Sequence, residues 1–262
     1  MTALKSVLFG TAIGLLSAVG AHAADLTPPV PSPTYIPPPT FTWAGAYLGI
    51  TAGYANGFHT YDDLGGAFLG YPGLSNDQSN GFAGGGTLGF NLQTGSLVYG
   101  LETDLSWLSN KSTYVDPNGA INNFYPSETN RLNDLGTVRG RLGLAVDRTL
   151  FYFTAGVAMG EVANTVLYNS TKFPTFNTPS FNIDSTRVGW VVGSGIERAL
   201  TPNLTVKGEA IYAQLNADTA SWVSPGSQAF PANAVYNVRF NTSVAIVRAG
   251  LNYKFDWFGS GI

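Results

Sequence analysis

From Leu97 to Trp107 the side chains alternate with period two: Leu97, Tyr99, Leu101, Thr103, Leu105 and Trp107 share one side, and Val98, Gly100, Glu102, Asp104 and Ser106 the other. That spacing belongs to a strand, whereas a helix would gather residues three and four apart. Residues 138–146 repeat the design with opposite charge. Arg139, Arg141 and Gly143 share a face, and Val138, Leu142, Leu144 and Val146 lie opposite. The same alternation delimits eight segments: 43–54, 80–92, 97–108, 135–146, 149–162, 186–198, 204–215 and 238–255. Each is long enough to cross a bilayer as a tilted strand, which takes about 9 to 11 residues.

The connections alternate in length. Those at 93–96, 147–148 and 199–203 are tight and carry the Gly, Asp, Pro and Asn that turns require. Those at 55–79, 109–134, 163–185 and 216–237 are long and rich in Asn, Ser, Gly and Pro. Unstructured loops of that length are uncommon in compact soluble domains. Short turns at one end and long loops at the other predict an all-β fold, an eight-stranded antiparallel up-and-down transmembrane β-barrel with periplasmic turns and four extracellular loops.

The charges decide which face points inward. With the glycine-bearing face inside, Glu102, Asp104, Arg139, Arg141, Glu197, Lys207, Glu209 and Arg248 enter the lumen, and the outer positions are nearly all apolar. The reverse would put four cations into lipid at about 2 to 4 kcal/mol each, roughly 10 kcal/mol in all, comparable with the whole stability of a domain. Four carboxylates and four cations then face one another in a lumen that eight strands leave barely wider than its side chains. An ionic network closing that lumen is expected. Tyr47, Tyr99, Trp107, Trp190, Tyr212 and Tyr253 are expected to form aromatic belts at the two membrane boundaries.

Composition agrees with a membrane-embedded chain. Only 11% of the 262 residues are charged, against about 25% in soluble domains. The net charge of −3 offers no basic face for nucleic acid. There is no cysteine, which excludes disulfides, thiolate chemistry and cysteine metal sites. Residues 1–23 have the basic start, apolar run and Ala21-His22-Ala23 cleavage signal of a secretory signal peptide. Residues 24–42 carry seven prolines, from Pro28 to Pro39, and are expected to form a periplasmic linker rich in polyproline II. The barrel is expected over 43–255, with 256–262 as a tail.

Several short motifs follow one another along these segments: Trp43-x-Gly45-x-Tyr47-x-Gly49, Gly100-Leu101-Glu102-Thr103-Asp104, Arg139-x-Arg141-x-Gly143, Arg187-x-Gly189-Trp190, Gly195-x-Glu197, Thr201-Pro202-Asn203, Lys207-x-Glu209 and Val247-Arg248-x-Gly250-x-Asn252-Tyr253-x-Phe255. In this order they resemble the small eight-stranded surface-antigen barrels of alphaproteobacterial outer membranes, relatives of opacity proteins and of the membrane domain of outer membrane protein A. The resemblance implies an outer-membrane protein, often called porin-like, that supports envelope integrity and surface interactions without chemistry of its own. It also implies contact with outer-membrane lipid, lipopolysaccharide and the barrel-assembly machinery, which reads a terminal aromatic residue. Here Phe255 fills that place because it ends the lipid-facing stripe of Val247, Ala249, Leu251 and Tyr253, although seven residues follow it.

Other chemistry is thinly supplied. Past the signal segment the only histidine is His59, placed in the first long loop, so a lipid-modifying enzyme would have one possible base. Asp62, Asp63, Asp77, Asp116 and Asp218 lack the dense spacing of a calcium loop. Gly84-Gly85-Gly86 opens no helix and cannot cradle a phosphate in the usual way. No catalytic residue, metal or cofactor is assigned. The functions left open are a closed structural and surface-interaction barrel, a narrow diffusion pore, and a lipid-modifying enzyme or lipocalin-like carrier.

Overall fold

The computed structural model describes residues 41–64, 75–115, 124–170, 180–226 and 231–255. The expected signal segment, the linker as far as residue 40, the tail 256–262 and Asp116 lie outside them. Eight strands form the ring: β1 (Gly45–Asp63), β2 (Ser75–Thr94), β3 (Leu97–Val115), β4 (Phe124–Val146), β5 (Thr149–Ser170), β6 (Ser180–Ala199), β7 (Leu204–Val223) and β8 (Val235–Phe255). Every strand pairs antiparallel with its sequence neighbour, and β8 returns to β1, so the sheet is closed. Closure leaves no unpaired edge, as crossing a bilayer with strands requires. At one end, β2 and β3 are joined through Gly95-Ser96, with Gly95 at φ 60°, and β4 and β5 through Asp147-Arg148, with Asp147 at φ 51°. Both turns need the left-handed conformation that glycine and aspartate tolerate.

The outer wall is greasy. Leu101 is 65% exposed, Leu142 56% and Trp107 66%, and Ile50, Phe82, Phe153, Val157 and Val247 stand out beside them. So large an exposed apolar surface suits lipid and not water. Arginine introduced at Leu101 or Leu142 should therefore cost about 2 to 4 kcal/mol of unfolding free energy in lipid vesicles. Unchanged values for both variants would mean that the two faces are exchanged.

The strands are longer than the alternation suggests. Residues 55–63, 75–79, 109–115, 124–134, 163–170, 180–185, 216–223 and 235–237, expected in connections, are strand. Two physical causes hid them. Register shifts lie between Trp107 and Asn110 on β3, between Leu132 and Leu135 on β4, and between Leu215 and Asp218 on β7. Such bulges break the period of two. Beyond them the outward positions also turn polar, with Ser109, Lys111, Arg131 and Glu161 exposed.

Candidate functional site

The lumen is filled in layers. At the turn end, Trp43 packs against Val98, Leu150, Tyr152 and Ala199, with Phe41 edge-on to its ring at 4.9 Å. This short segment is tied down at both sides. The Trp43 amide donates to Gln93 Oε1 at 2.7 Å, and Lys254 Nζ donates to the Thr42 carbonyl at 2.6 Å. Phe41 and Thr42, expected in the linker, therefore belong with the barrel mouth.

Above this cap, the ionisable groups of β3, β4, β6, β7 and β8 meet. Glu102 lies directly across from Arg139 in the β3–β4 register, and the two are ion-paired. Arg139 reaches three carboxylates, touching Asp104 at 2.7 Å and Glu209 at 2.9 Å as well. Glu102 also has Lys207 Nζ at 3.1 Å and Arg141 at 3.8 Å. Arg248 bridges Asp104 and Glu209 at 2.6 Å each, and Arg141 pairs with Glu197. Neutral donors complete the carboxylates: Thr87 and Thr137 donate to Asp104 at 2.8 and 3.0 Å, and Asn252 Nδ2 donates to Glu197 at 2.8 Å. All eight charged residues are buried. Charge-assisted contacts of this kind are among the strongest hydrogen bonds a protein makes.

Glycines make this density possible at two points. A β-carbon on Gly89 would fall 2.2 Å from the Tyr47 ring, and one on Gly195 would fall 2.5 Å from the Tyr152 ring. Each tyrosine thus lies flat across a glycine, and the Arg141 guanidinium sits 3.8 Å from the Tyr152 centroid and 5.7 Å from that of Tyr47. The Tyr47 hydroxyl donates to Glu102 at 2.7 Å. This corrects the expectation that Tyr47 is an interfacial aromatic: it shares the face of Gly49 and Gly53, points inward and is 4% exposed.

Next comes an apolar layer to which all eight strands contribute, among them Leu108, Leu132, Leu135, Val191, Leu215 and Ile246. Leu132 of β4 and Leu215 of β7 converge in front of Gly160, whose β-carbon would lie 3.0 Å from both side chains. Sequence reasoning missed this layer. The signal was the same parity that placed the charges, since Leu135 follows Arg139 and Thr137 on one face, and Ile211, Ala213 and Leu215 follow Glu209 on another. Lys254 was missed in the same way, although it shares a face with Arg248 and Asn252.

Residues 11–255 match the sequence pattern of the outer membrane protein beta-barrel domain. The chain belongs to that family. The 31 kDa outer-membrane immunogenic protein of Brucella melitensis is 35% identical over 96% of this chain and all of its own. The 25 kDa outer-membrane immunogenic protein of Brucella abortus is 27% identical over 97% of this chain and all of its own. The crystal structure of outer membrane protein OprG from Pseudomonas aeruginosa aligns over 81% of this chain and 96% of that chain, at 14% identity and a TM-score of 0.46. Membership in the family places the protein in the outer membrane.

On this family barrel the remaining aromatics stand outside. Trp107, Trp190, Tyr99 and Tyr253 are exposed, and Tyr212 is partly covered, its ring 5.6 Å from that of Trp190. Trp107, Trp190 and Tyr212 lie toward the bulged end, while Tyr99, Tyr253 and Phe255 ring the turn end. Phe255 is the last residue of β8 and packs edge-on against Tyr253 at 5.3 Å.

His59 is not in a loop. It lies on β1, buried above the apolar layer, with Nε2 2.9 Å from Ser79 Oγ and Nδ1 3.4 Å from Thr242 Oγ1. Asp77, opposite it on β2, accepts from Ser112 and from Asn130 Nδ2 at 3.2 Å. Asp62, Asp63, Asp77 and Asp218 all lie on strands. Among the described residues no group of three or more His, Asp or Glu side chains converges to hold a metal ion.

Proposed function

We propose that this outer-membrane protein is a closed barrel that contributes to envelope integrity and surface interactions, has no enzymatic role, and does not serve solute diffusion. The observation that carries this reading is the stacking of two unlike fillings in one lumen, the balanced ionic network and the apolar layer drawn from all eight strands. An ion entering from the turn end would meet charges already paired and then leucines that offer it no solvation, and one entering from the bulged end would meet the leucines first. The immunogenic relatives named for two Brucella species favour a surface role. Phe255 is the residue proposed to be read by the assembly machinery. Wild-type protein in planar bilayers should give no steady current. A large steady current would replace this reading with that of a narrow diffusion pore.

The longer connections, 64–74, 116–123, 171–179 and 224–234, are proposed to face outward and the Gly95-Ser96 turn the periplasm. Protease added to intact cells should nick the chain only in the former. Cleavage at the Gly95-Ser96 turn in cells with a sealed envelope would defeat this orientation.

A further inference from the structure

Through the membrane band β6 is laddered to both of its neighbours, but toward the bulged end its ladder with β7 stops at Gly189↔Leu215. Both strands run on without it, β6 as far as Ser180 and β7 as far as Val223. Their other sides stay paired, β6 with β5 and β7 with β8. A bulge on β7 between Leu215 and Asp218 starts the divergence. Among the described residues, the backbone groups that 182–188 of β6 direct toward β7 therefore have no ladder partner.

Across the ring the β2–β3 ladder also stops, at Ala83↔Leu108. There the strands remain in contact: a β-carbon on Gly81 would overlap the Ser109 carbonyl, and Ser112 and Asn130 both donate to Asp77. The β6–β7 seam is bridged by side chains. Arg187 of β6 is ion-paired with Asp218 of β7, and Ile183 of β6 packs into the buried cluster of Tyr236, Val238 and Phe240, against which Ala220 and Trp222 of β7 lean. Asp218 also accepts from the Thr219 amide at 2.7 Å, which caps the β7 edge. Residues 182–188 of β6 carry no such cap, and neither the proline nor the lysine that commonly blunts an exposed edge. Asp184 stands exposed on the outer side of this edge. Its β5 partner is Ala163, and the diagonal neighbours Glu161 and Thr165 offer it no cation; the row reaches Arg131 only two strands away.

We infer that β6 takes an extended segment of a partner protein as an extra strand beside residues 182–188. Polypeptide is the chemistry that presents N–H and C=O groups at the spacing of a sheet edge, so the occupant is a protein segment and not a glycan or a lipid. Side chains alternate on such a strand. Those turned inward meet Ile183 and the cluster behind it and are apolar; those turned outward include a lysine or arginine beside Asp184. Entry parts the Arg187–Asp218 clasp, a half-exposed ion pair that water separates at low cost. The inference deepens the surface-interaction reading by naming the chemistry of the partner, and it rests on the outward orientation proposed for the bulged end.

The test uses the refolded full chain in a neutral detergent and a synthetic peptide of about nine residues, a common strand length, that alternates valine with threonine and lysine. Hydrogen exchange of the backbone amides is read by mass spectrometry. In the free protein about half the amides of 182–188, those turned away from β5, should exchange much faster than the doubly laddered stretch 190–198, and the peptide should slow them. The same peptide N-methylated at its amides keeps its side chains but loses its donors, and should bind about tenfold or more weakly. Asp184→Asn should weaken binding of the lysine peptide about two- to fivefold and leave an all-threonine version unchanged. Because the chain has no cysteine, Arg187→Cys with Asp218→Cys can be joined by a short thiol cross-linker. The locked seam should not bind, whereas the same double variant left unlinked should bind at least as well as wild type. Slow exchange at 182–188 in the free protein would overturn the site, as would absent binding, or equal binding by the N-methylated peptide or by the locked seam. Unchanged affinity in Asp184→Asn would overturn the basic character assigned to the partner. Binding in detergent does not depend on orientation: its absence with the expected protease pattern rejects the seam alone, and binding with a reversed pattern rejects the orientation alone.

Discussion

Replacement of Arg139 by alanine is expected to lower the unfolding free energy in lipid vesicles by about 3 to 5 kcal/mol. Arg139 is fully buried and is the one side chain of the network that touches Glu102, Asp104 and Glu209 together. Without it, Glu102 keeps Lys207 and Arg141, but Asp104 and Glu209 must share Arg248. Four carboxylates would then face three cations, leaving one buried charge uncompensated, and it is the unpaired charge, more than the lost bond, that makes such a change costly. Charge balance separates this cause from simple loss of packing. Glu209→Gln on top of Arg139→Met restores three of each sign and fills much of the arginine's volume, so the double variant should recover a substantial part of the loss. Urea unfolding of the two singles and the double forms the cycle. A loss below about 1 kcal/mol for Arg139→Ala, or a double variant no better than the sum of its parts, would mean that the network does not act as a unit.

The residues of this network could be read from sequence because charges on a lipid-crossing strand have only one inexpensive side. Once Glu102 and Asp104 on one strand, and Arg139 and Arg141 on another, alternate with leucine and valine, the cost of placing cations in lipid fixes the inner face. The apolar filling carried no such contrast. At Leu105, Trp107 and Leu108 on β3, and at Leu135 and Val138 on β4, both faces are apolar and hydropathy cannot tell lumen from lipid. Only parity counted back from a charge distinguishes them, and parity fails where a bulge shifts the phase, as it does between Leu132 and Leu135. Tyr47 was misplaced for a different reason. Tyrosine is at home at a membrane boundary and also over a glycine beside a carboxylate, so residue type alone does not choose. Its spacing from Gly49 and Gly53 does, because side chains two apart on a strand share a face. The cap at Phe41 to Trp43 depends on Gln93 and Lys254, contacts about 50 and 212 residues away in sequence that no local pattern announces.

Breaking the ionic network alone should not make a pore. In Arg139→Ala, or in Glu102→Ala, water can enter the charged layer and soften the loss of stability. The leucines above it remain packed across the ring, and Trp43 still covers the opposite mouth. A hydrophobic constriction too narrow to stay wet blocks ions without any charge, so single variants should show brief or intermittent openings and no steady current. Leu215→Ala removes the side chain that meets Leu132 before Gly160. By itself it should cost about 2 to 5 kcal/mol and still leave the charges below paired. Joined with Arg139→Ala, or with the milder Arg139→Gln should the first pair fail to fold, it opens two consecutive layers. Steady conductance in planar bilayers is then expected, reduced where Trp43 still obstructs the mouth and increased by adding Trp43→Ala. A steady current from Arg139→Ala alone, as large as that of the combined variant, would show that the apolar layer is no seal. Silence from the triple variant, with its β-barrel intact, would put the barrier outside all three layers, and the buried cluster of Ile183, Tyr236, Val238 and Phe240 toward the bulged end would then be the place to seek it.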